Sequence, residues 1–335
     1  MDRPESPLTS TQSPLAIEVT HLTKTFGELI AVNNISFHVR QGELFGFLGP
    51  NGAGKTTTIS MLIGLARPDA GTIRIGGLDC SHNPKAAQHL IGVVPDESNL
   101  YPELTGFDNL CFCAALYGIG SQEAQARAQE LLAAFGLTEA ANRKFATYST
   151  GMKRKLTIAA GIIHEPEVLF LDEPTTGIDI VSARQIRQLI ADLHQKGTTI
   201  FLTTHYIEEA ERLCDRIAFI VKGQIVRVDT VPNLLQPIQN KHKVMLAVDH
   251  AESNLCERMT TAFPELEFDQ VSNGEIRVTS EVPVRVGPLV RFVEDQGAEV
   301  MDARRLQPSL EEVFVQVTGI DAGAMQANKE KSRRS

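Results

Sequence analysis

The spacing of apolar positions changes along the chain, and each change predicts a different kind of structure. Residues 15–39 hold two β-rich segments, IEVTHLTKTF and LIAVNNISFHV, parted by Gly27 and Glu28, which predicts an antiparallel β-lobe. Short unbroken apolar runs then recur at 44–48, 91–94, 168–171, 199–203 and 217–221, with helical stretches between them. Strands that are apolar at every position need cover on both faces, so this part reads as a buried, largely parallel sheet between helices. Ile186, Leu189, Ile190 and Leu193 follow helical spacing, and Gly197 is placed to end that helix. Between Asp96 and Ile163 the pattern is almost wholly helical. Thr105 and Asp108 fit a capping box there, an Ala-rich run follows at 123–135, and a helical insertion is expected over about 97–163.

The Pro-, Gln- and Asn-containing stretch 232–240 reads as a linker. A second unit follows: a strand at 242–248, a helix at 253–263, two strands joined by Asn273-Gly274, a helix at 287–296 and a strand at 298–304. That β-α-β-β-α-β order is ferredoxin-like. The fold class is therefore α/β, with a largely parallel sheet, an antiparallel β-lobe and a helical insertion in a domain at 15–234, and a small α+β domain at 241–318. The proline-rich residues 1–14 and the polar, basic residues 319–335 are expected to be disordered tails.

Composition narrows the function. Of 335 residues, 42% are hydrophobic and 22% charged, and 32 basic against 41 acidic side chains give a net charge of −9. No overall basic field is present to hold a phosphate backbone, so no nucleic-acid partner is expected. A bilayer-spanning helix takes roughly 20 mostly apolar residues. The charge-light stretch 109–122 is too short and is interrupted by Gly118 and Gly120. The first residues lack the apolar core of a secretory signal, which predicts a cytosolic chain. The five cysteines show no pair of metal-binding doublets and are expected to be reduced thiols.

Candidate chemistry begins at Gly49-Pro50-Asn51-Gly52-Ala53-Gly54-Lys55-Thr56-Thr57, which satisfies G-x-x-x-x-G-K-[ST] between an apolar strand and a helix. Glycines let successive backbone N–H groups converge on phosphate oxygens at a helix N-terminus. Lys55 would hold the β- and γ-phosphates, and the Thr56 hydroxyl would meet Mg²⁺. The strand VLFLDE ends in Asp172 and Glu173, one suited to the metal and the other to polarising an attacking water. In a parallel sheet the following strand would bring Thr203-Thr204-His205 to the same edge, with His205 near the γ-phosphate.

These segments, in this order, resemble the ATP-binding subunits of ABC transporters. GPNGAGKTT looks like that family's Walker A, LFLDEP its Walker B with Glu173 as catalytic base, Thr176-Gly177-Ile178-Asp179 its D-loop and TTH its switch histidine. Tyr148-Ser149-Thr150-Gly151-Met152 stands where the family carries its signature, and this variant resembles the subfamily that exports drugs, polysaccharides or lipids. In that family the signature addresses the nucleotide held by a second subunit. The resemblance thus implies a homodimer or a paired ATP-binding subunit, with Ser149, Gly151 and Asp179 at the shared nucleotides. It also implies ATP and Mg²⁺ as cofactors, and an adenine stacked on Phe26, which could otherwise be a core phenylalanine. Asp96 stands where the family's loop offers glutamine and is expected on the metal side with Thr56 and Asp172.

The resemblance further implies a separate integral membrane permease and a peripheral place on the cytoplasmic face of the membrane. A docking groove for the permease would lie along 109–120, with Phe112, Leu116 and Tyr117; an ordinary helical core fits that stretch equally well. The ending Pro308-Ser309-Leu310-Glu311-Glu312-Val313-Phe314 resembles an extension of exporter subunits, for which a regulatory or dimer-stabilising module is a hypothesis. Two other readings stay open: a soluble ABC-type ATPase not coupled to transport, and a module that senses ATP without turnover.

Overall fold

The computed structural model describes residues 14–239, 241–249, 254–272 and 274–320. From the N-terminus, β1 (Leu15–Phe26) and β2 (Leu29–Arg40) form the antiparallel hairpin around Gly27, which takes φ 57° as such a tight turn requires. β3 (Leu44–Leu48) leads through the glycine loop into α1 (Lys55–Leu62). β4 (Ala70–Ile75) returns to pair with β1, and the two-residue β5 (Leu78–Asp79) follows on its outer edge. The lobe is thus four-stranded, in the order β2-β1-β4-β5. The last two strands escape the sequence reading because β4 buries only Ile73 and Ile75 and β5 is two exposed residues long, too little for an apolar pattern.

β6 (Ile91–Val94) enters the helical insertion, which holds α2 (Gly106–Leu116), α3 (Ser121–Ala134) and α4 (Thr150–Ile162). The Thr105 hydroxyl accepts from the Asp108 N–H at 3.0 Å, so the expected N-cap of α2 forms. β7 (Val168–Asp172), α5 (Ile180–Gln195), β8 (Thr199–Thr204), α6 (Ile207–Leu213), β9 (Arg216–Val221) and β10 (Gln224–Thr230) complete this unit. Its second sheet has the order β10-β9-β3-β8-β7-β6, parallel except for the edge strand β10. β3 and β7 are buried at every residue, as a sheet covered on both faces demands. Phe37 of β2 packs on Phe45, Phe47 and Phe201 of the sheet at 5.6–5.9 Å between ring centres, and this cluster joins lobe and sheet into one core.

The expected linker is instead α7 (Val231–Gln239). Pro232 sits in its first turn, where a missing N–H costs nothing, and Val231 and Leu234 are buried on one face. Burying that face outweighs the turn-like composition that suggested a linker; Asn240 lies outside the described residues.

The chain divides into two compact units, one running to Val231 and taking in the chain again from Val317, the other at Pro232–Gln316. The second contains β11 (His242–Asp249), α8 (Leu255–Ala262), β12 (Glu267–Ser272), β13 (Glu275–Ser280), α9 (Val286–Asp295) and β14 (Glu299–Leu306). Its sheet is antiparallel in the order β12-β13-β11-β14, the ferredoxin-like arrangement that the element order predicts. Val244, Leu246, Ile276 and Val278 meet Leu255, Met259, Leu289 and Val293 of the two helices in a separate core. α10 (Leu310–Thr318) follows. Residues 1–13 and 321–335 of the expected tails lie outside the described residues, as does Asn273 of the hairpin. All five cysteines are free, and among the described residues no helix is long and apolar enough to cross a membrane.

Candidate active site

The site is built where three parallel strands end. After β3 the loop needs residues without side chains. A Cβ at Gly49 would strike the Ile220 carbonyl, and one at Gly54 would lie 2.5 Å from the Ala31 carbonyl. Gly52 and Gly54 take φ of 79° and 104°, which L side chains rarely adopt. The loop so shaped delivers Lys55 to the start of α1 with its side chain buried. Its ammonium donates to the carbonyls of Gly49 at 2.8 Å and Pro50 at 3.3 Å, and stands 3.3 Å from Glu173 Oε1.

β7 delivers the two carboxylates. Asp172 accepts a hydrogen bond from the Thr203 hydroxyl of β8. Burial pushes its pKa up, while the hydroxyls of Thr203 and Thr56 pull the other way. At Glu173 the backbone turns into the left-handed region, φ 51°, and the side chain leaves in a new direction. Glu173 Oε2 receives His205 Nδ1 at 2.6 Å and the Thr176 hydroxyl at 2.9 Å. Burial alone would raise its pKa, but the His205 hydrogen bond, the Lys55 charge and Thr176 outweigh it and hold the carboxyl at about 2. An ionised carboxylate accepts only, so the shared proton belongs to His205 Nδ1.

These groups border a cavity of about 460 Å³. Asn51, Gly52, Gly54, Lys55, Thr56 and Thr57 line it together with Asp96, Asp172 and Glu173. Phe26 lines it too and is 53% exposed, so it is not a core phenylalanine. Exposed Leu29 and Ile30, with Lys222, complete that wall; sequence reading passed over them because a hairpin tip and a turn lysine carry no pattern of their own. The structure therefore gathers Phe26, the glycine loop, Asp96, Asp172, Glu173 and, through Glu173, His205.

Ser149, Gly151 and Asp179 are not brought to this cavity. Ser149 is exposed and caps α4 by accepting from the Met152 N–H at 3.3 Å. Asp179 is exposed and caps α5, accepting from the Ser182 N–H at 2.9 Å. The two helix starts abut: a Cβ on Gly151 would collide with the Ser182 side chain. The expected docking stretch has two faces. Asn109, Leu110 and Ala114 are buried, whereas Phe112, Leu116 and Tyr117 are exposed, with Phe112 edge-on to exposed Tyr101.

The residues fit a nucleotide with Mg²⁺. A curled glycine backbone and a buried lysine suit phosphate oxygens, and a hydroxyl and a carboxylate at Thr56 and Asp172 suit a hard cation. Among the described residues no three His, Cys, Asp or Glu side chains form a metal cage.

Comparison with known proteins agrees with this geometry. Residues 32–176 match the family described as ABC transporter. The linearmycin resistance ATP-binding protein LnrL of Bacillus subtilis (strain 168) is 37% identical over 309 residues, covering 90% of this chain and 98% of that protein. The Nod factor export ATP-binding protein I of Paraburkholderia xenovorans (strain LB400) is 44% identical over 209 residues, 62% of this chain and 69% of that protein. A solved ATP-binding cassette, dimeric and bound to ADP and Pi after hydrolysis, superposes with a TM-score of 0.60 at 26% identity, over 64% of this chain and 98% of the other. A phosphate loop and paired carboxylates in one cavity, the second carboxylate backed by a histidine, on a chain alike to LnrL over nearly its whole length, place this protein among the ATP-binding, ATP-hydrolysing subunits of the ABC transporter family.

Proposed function

We propose that this chain is the motor of an exporter. It hydrolyses ATP at the cytoplasmic face of a membrane and drives a separate membrane-spanning permease, paired head-to-tail with a second ATP-binding subunit. The observation that carries the chemistry is the Glu173 carboxylate on the cavity wall, held between Lys55 and His205. Lys55 binds the β- and γ-phosphates, Phe26 stacks on the adenine, and Asn51, Gly52, Gly54 and Thr57 present the loop and helix start to the phosphates. Thr56, Asp172 and Asp96 hold Mg²⁺, which when bound neutralises phosphate charge. Glu173 accepts the proton of the attacking water, and His205 keeps that carboxylate aimed through Oε2.

Ser149, Gly151 and Asp179 serve the nucleotide of the opposite subunit. The exposure of Ser149 and Asp179, and the position of all three residues away from the cavity of their own chain, support that reading. The names of the relatives, one of them a Nod factor export protein, support export. We assign 15–234 to the ATP-binding domain and 241–318 to an accessory domain. The test is to express tagged Glu173→Gln protein in its native cell, solubilise membranes with ATP and Mg²⁺ present, and identify what co-purifies. A polytopic membrane protein in stoichiometric amount is the expected result. Soluble dimer alone, or ribosomal material, would refute coupling to transport.

A further inference from the structure

A single arginine joins three parts of the ATP-binding unit that lie far apart in sequence. Arg154 is on α4, one turn after the Ser149 cap, and its side chain is 6% exposed. Nη1 donates to the Pro95 carbonyl at 2.5 Å. Nη2 donates to the carbonyls of Asp96 at 2.7 Å and Glu173 at 3.2 Å. Asp96 Oδ1 lies 3.5 Å from Nη2 and supplies the countercharge. A planar guanidinium with donors on separate nitrogens can span these acceptors; the single ammonium of a lysine cannot.

The bond to Glu173 has a particular use. Glu173 sits at φ 51°, a conformation that is strained for a residue with a Cβ and persists only if its surroundings hold it. Its N–H donates to the Thr203 carbonyl at 3.0 Å, and its carbonyl accepts from Arg154. Both ends of the strained residue are therefore tied, one to β8 and the other to α4. The same guanidinium fixes the loop after β6, and it brings the Asp96 carboxylate against a buried cation. This arrangement accounts for an acid at that loop position.

We propose that Arg154 is a positioning residue that couples the Ser149 end of α4 to the base Glu173 and the Asp96 loop, so that engagement of a second subunit's nucleotide aligns the base of this one. The inference rests on the reading of Glu173 as base and of α4 as facing a partner subunit. Arg154 is not among the groups lining the nucleotide cavity, so its loss should change turnover and pairing without changing nucleotide affinity.

The experiment uses the full chain with Arg154→Lys and Arg154→Met. Expected are an ATP Kd within about twofold of the parent and a kcat lower by about 100-fold, the cost of a misplaced reacting group. The KM for ATP should stay near the parent value. Arg154→Lys, which keeps the charge and most of the stem, should not rescue kcat, and it serves if Arg154→Met fails to fold. In a second arm, Glu173→Gln should form a dimer with ATP in size-exclusion chromatography, and Glu173→Gln with Arg154→Lys should remain monomeric at the same concentration. A parent-like kcat in Arg154→Lys, or a fall in kcat matched by an equal loss of ATP binding, overturns the proposal. Failure of Glu173→Gln alone to dimerise overturns the underlying head-to-tail reading and the coupling with it.

Discussion

Lys55 Nζ lies 3.3 Å from Glu173 Oε1, with the two side chains only 6% and 8% exposed. The cation meant for phosphate and the carboxylate meant for water are each other's partners. Two desolvated charges hold each other in place, and removal of either leaves the other buried and uncompensated. Nucleotide binding must draw Lys55 from the carboxylate and from the Gly49 and Pro50 carbonyls towards phosphate oxygens.

Glu173→Gln keeps the shape of the side chain and removes its charge. Hydrolysis should fall by about 10²–10⁴-fold, the usual worth of a positioned general base. ATP affinity should be retained or increased, because Lys55 no longer has the Glu173 carboxylate to leave. Phosphate release and calorimetric titration read the two effects separately, and turnover at the parent rate would remove Glu173 from the role of base.

Lys55→Ala should act in the opposite sense. Loss of the fixed charge should weaken ATP binding by 100-fold or more, about 3 kcal/mol in affinity terms. The buried Glu173 carboxylate would keep only His205 and Thr176 as partners, so a fall in Tm is also expected. Titration with a fluorescent ATP analogue and thermal denaturation check the pair; parent-like affinity would show that the loop carries the phosphates alone.

The pH dependence follows from Glu173, whose pKa of about 2 in the folded chain lies below the 4.5 of a free glutamate. As pH falls, the unfolded chain takes up this proton first. The ionised group therefore contributes stability that is fully present above pH about 4.5 and is lost progressively towards pH about 2. Glu173→Gln has no such contribution to lose. Urea denaturation across that interval should show the parent losing stability relative to Glu173→Gln, and parallel profiles would mean that the carboxylate is not held ionised.

Phe26 is half exposed on the cavity wall, so Phe26→Ala should leave Tm nearly unchanged. Loss of stacking should weaken ATP binding by about 0.5–1.5 kcal/mol, and Phe26→Tyr should restore it. Equal affinities of the parent and Phe26→Ala for ATP would show that the adenine lies elsewhere.

Gly54→Ala should disturb the site without touching its chemistry. At φ 104° an added Cβ would lie 2.5 Å from the Ala31 carbonyl, so the loop must shift. Lys55 is the next residue, and ATP binding should fall by at least tenfold while circular dichroism stays parent-like. Unchanged binding would show that the loop tolerates the displacement.

Much of this protein is written locally. Continuous apolar strands such as β3 and β7, the hairpin turn at Gly27, the Thr105 cap and the β-α-β-β-α-β order of the second unit all depend on neighbours a few residues apart, and each is legible in the sequence. The glycine loop with Lys55 and the Asp172-Glu173 pair are legible for the same reason, because their chemistry needs fixed residue types at fixed spacing. The sequence does not reveal α7, where burial of Leu234 overrode a turn-like composition, or Arg154, which in MKRKL looks like one cation of a solvated helix face. Nor does it reveal that Lys55 and His205 share the Glu173 carboxylate as a partner. Those outcomes depend on which side chains lose their water together, and desolvation is set by the packing of segments distant in sequence, which exists only once the chain has folded.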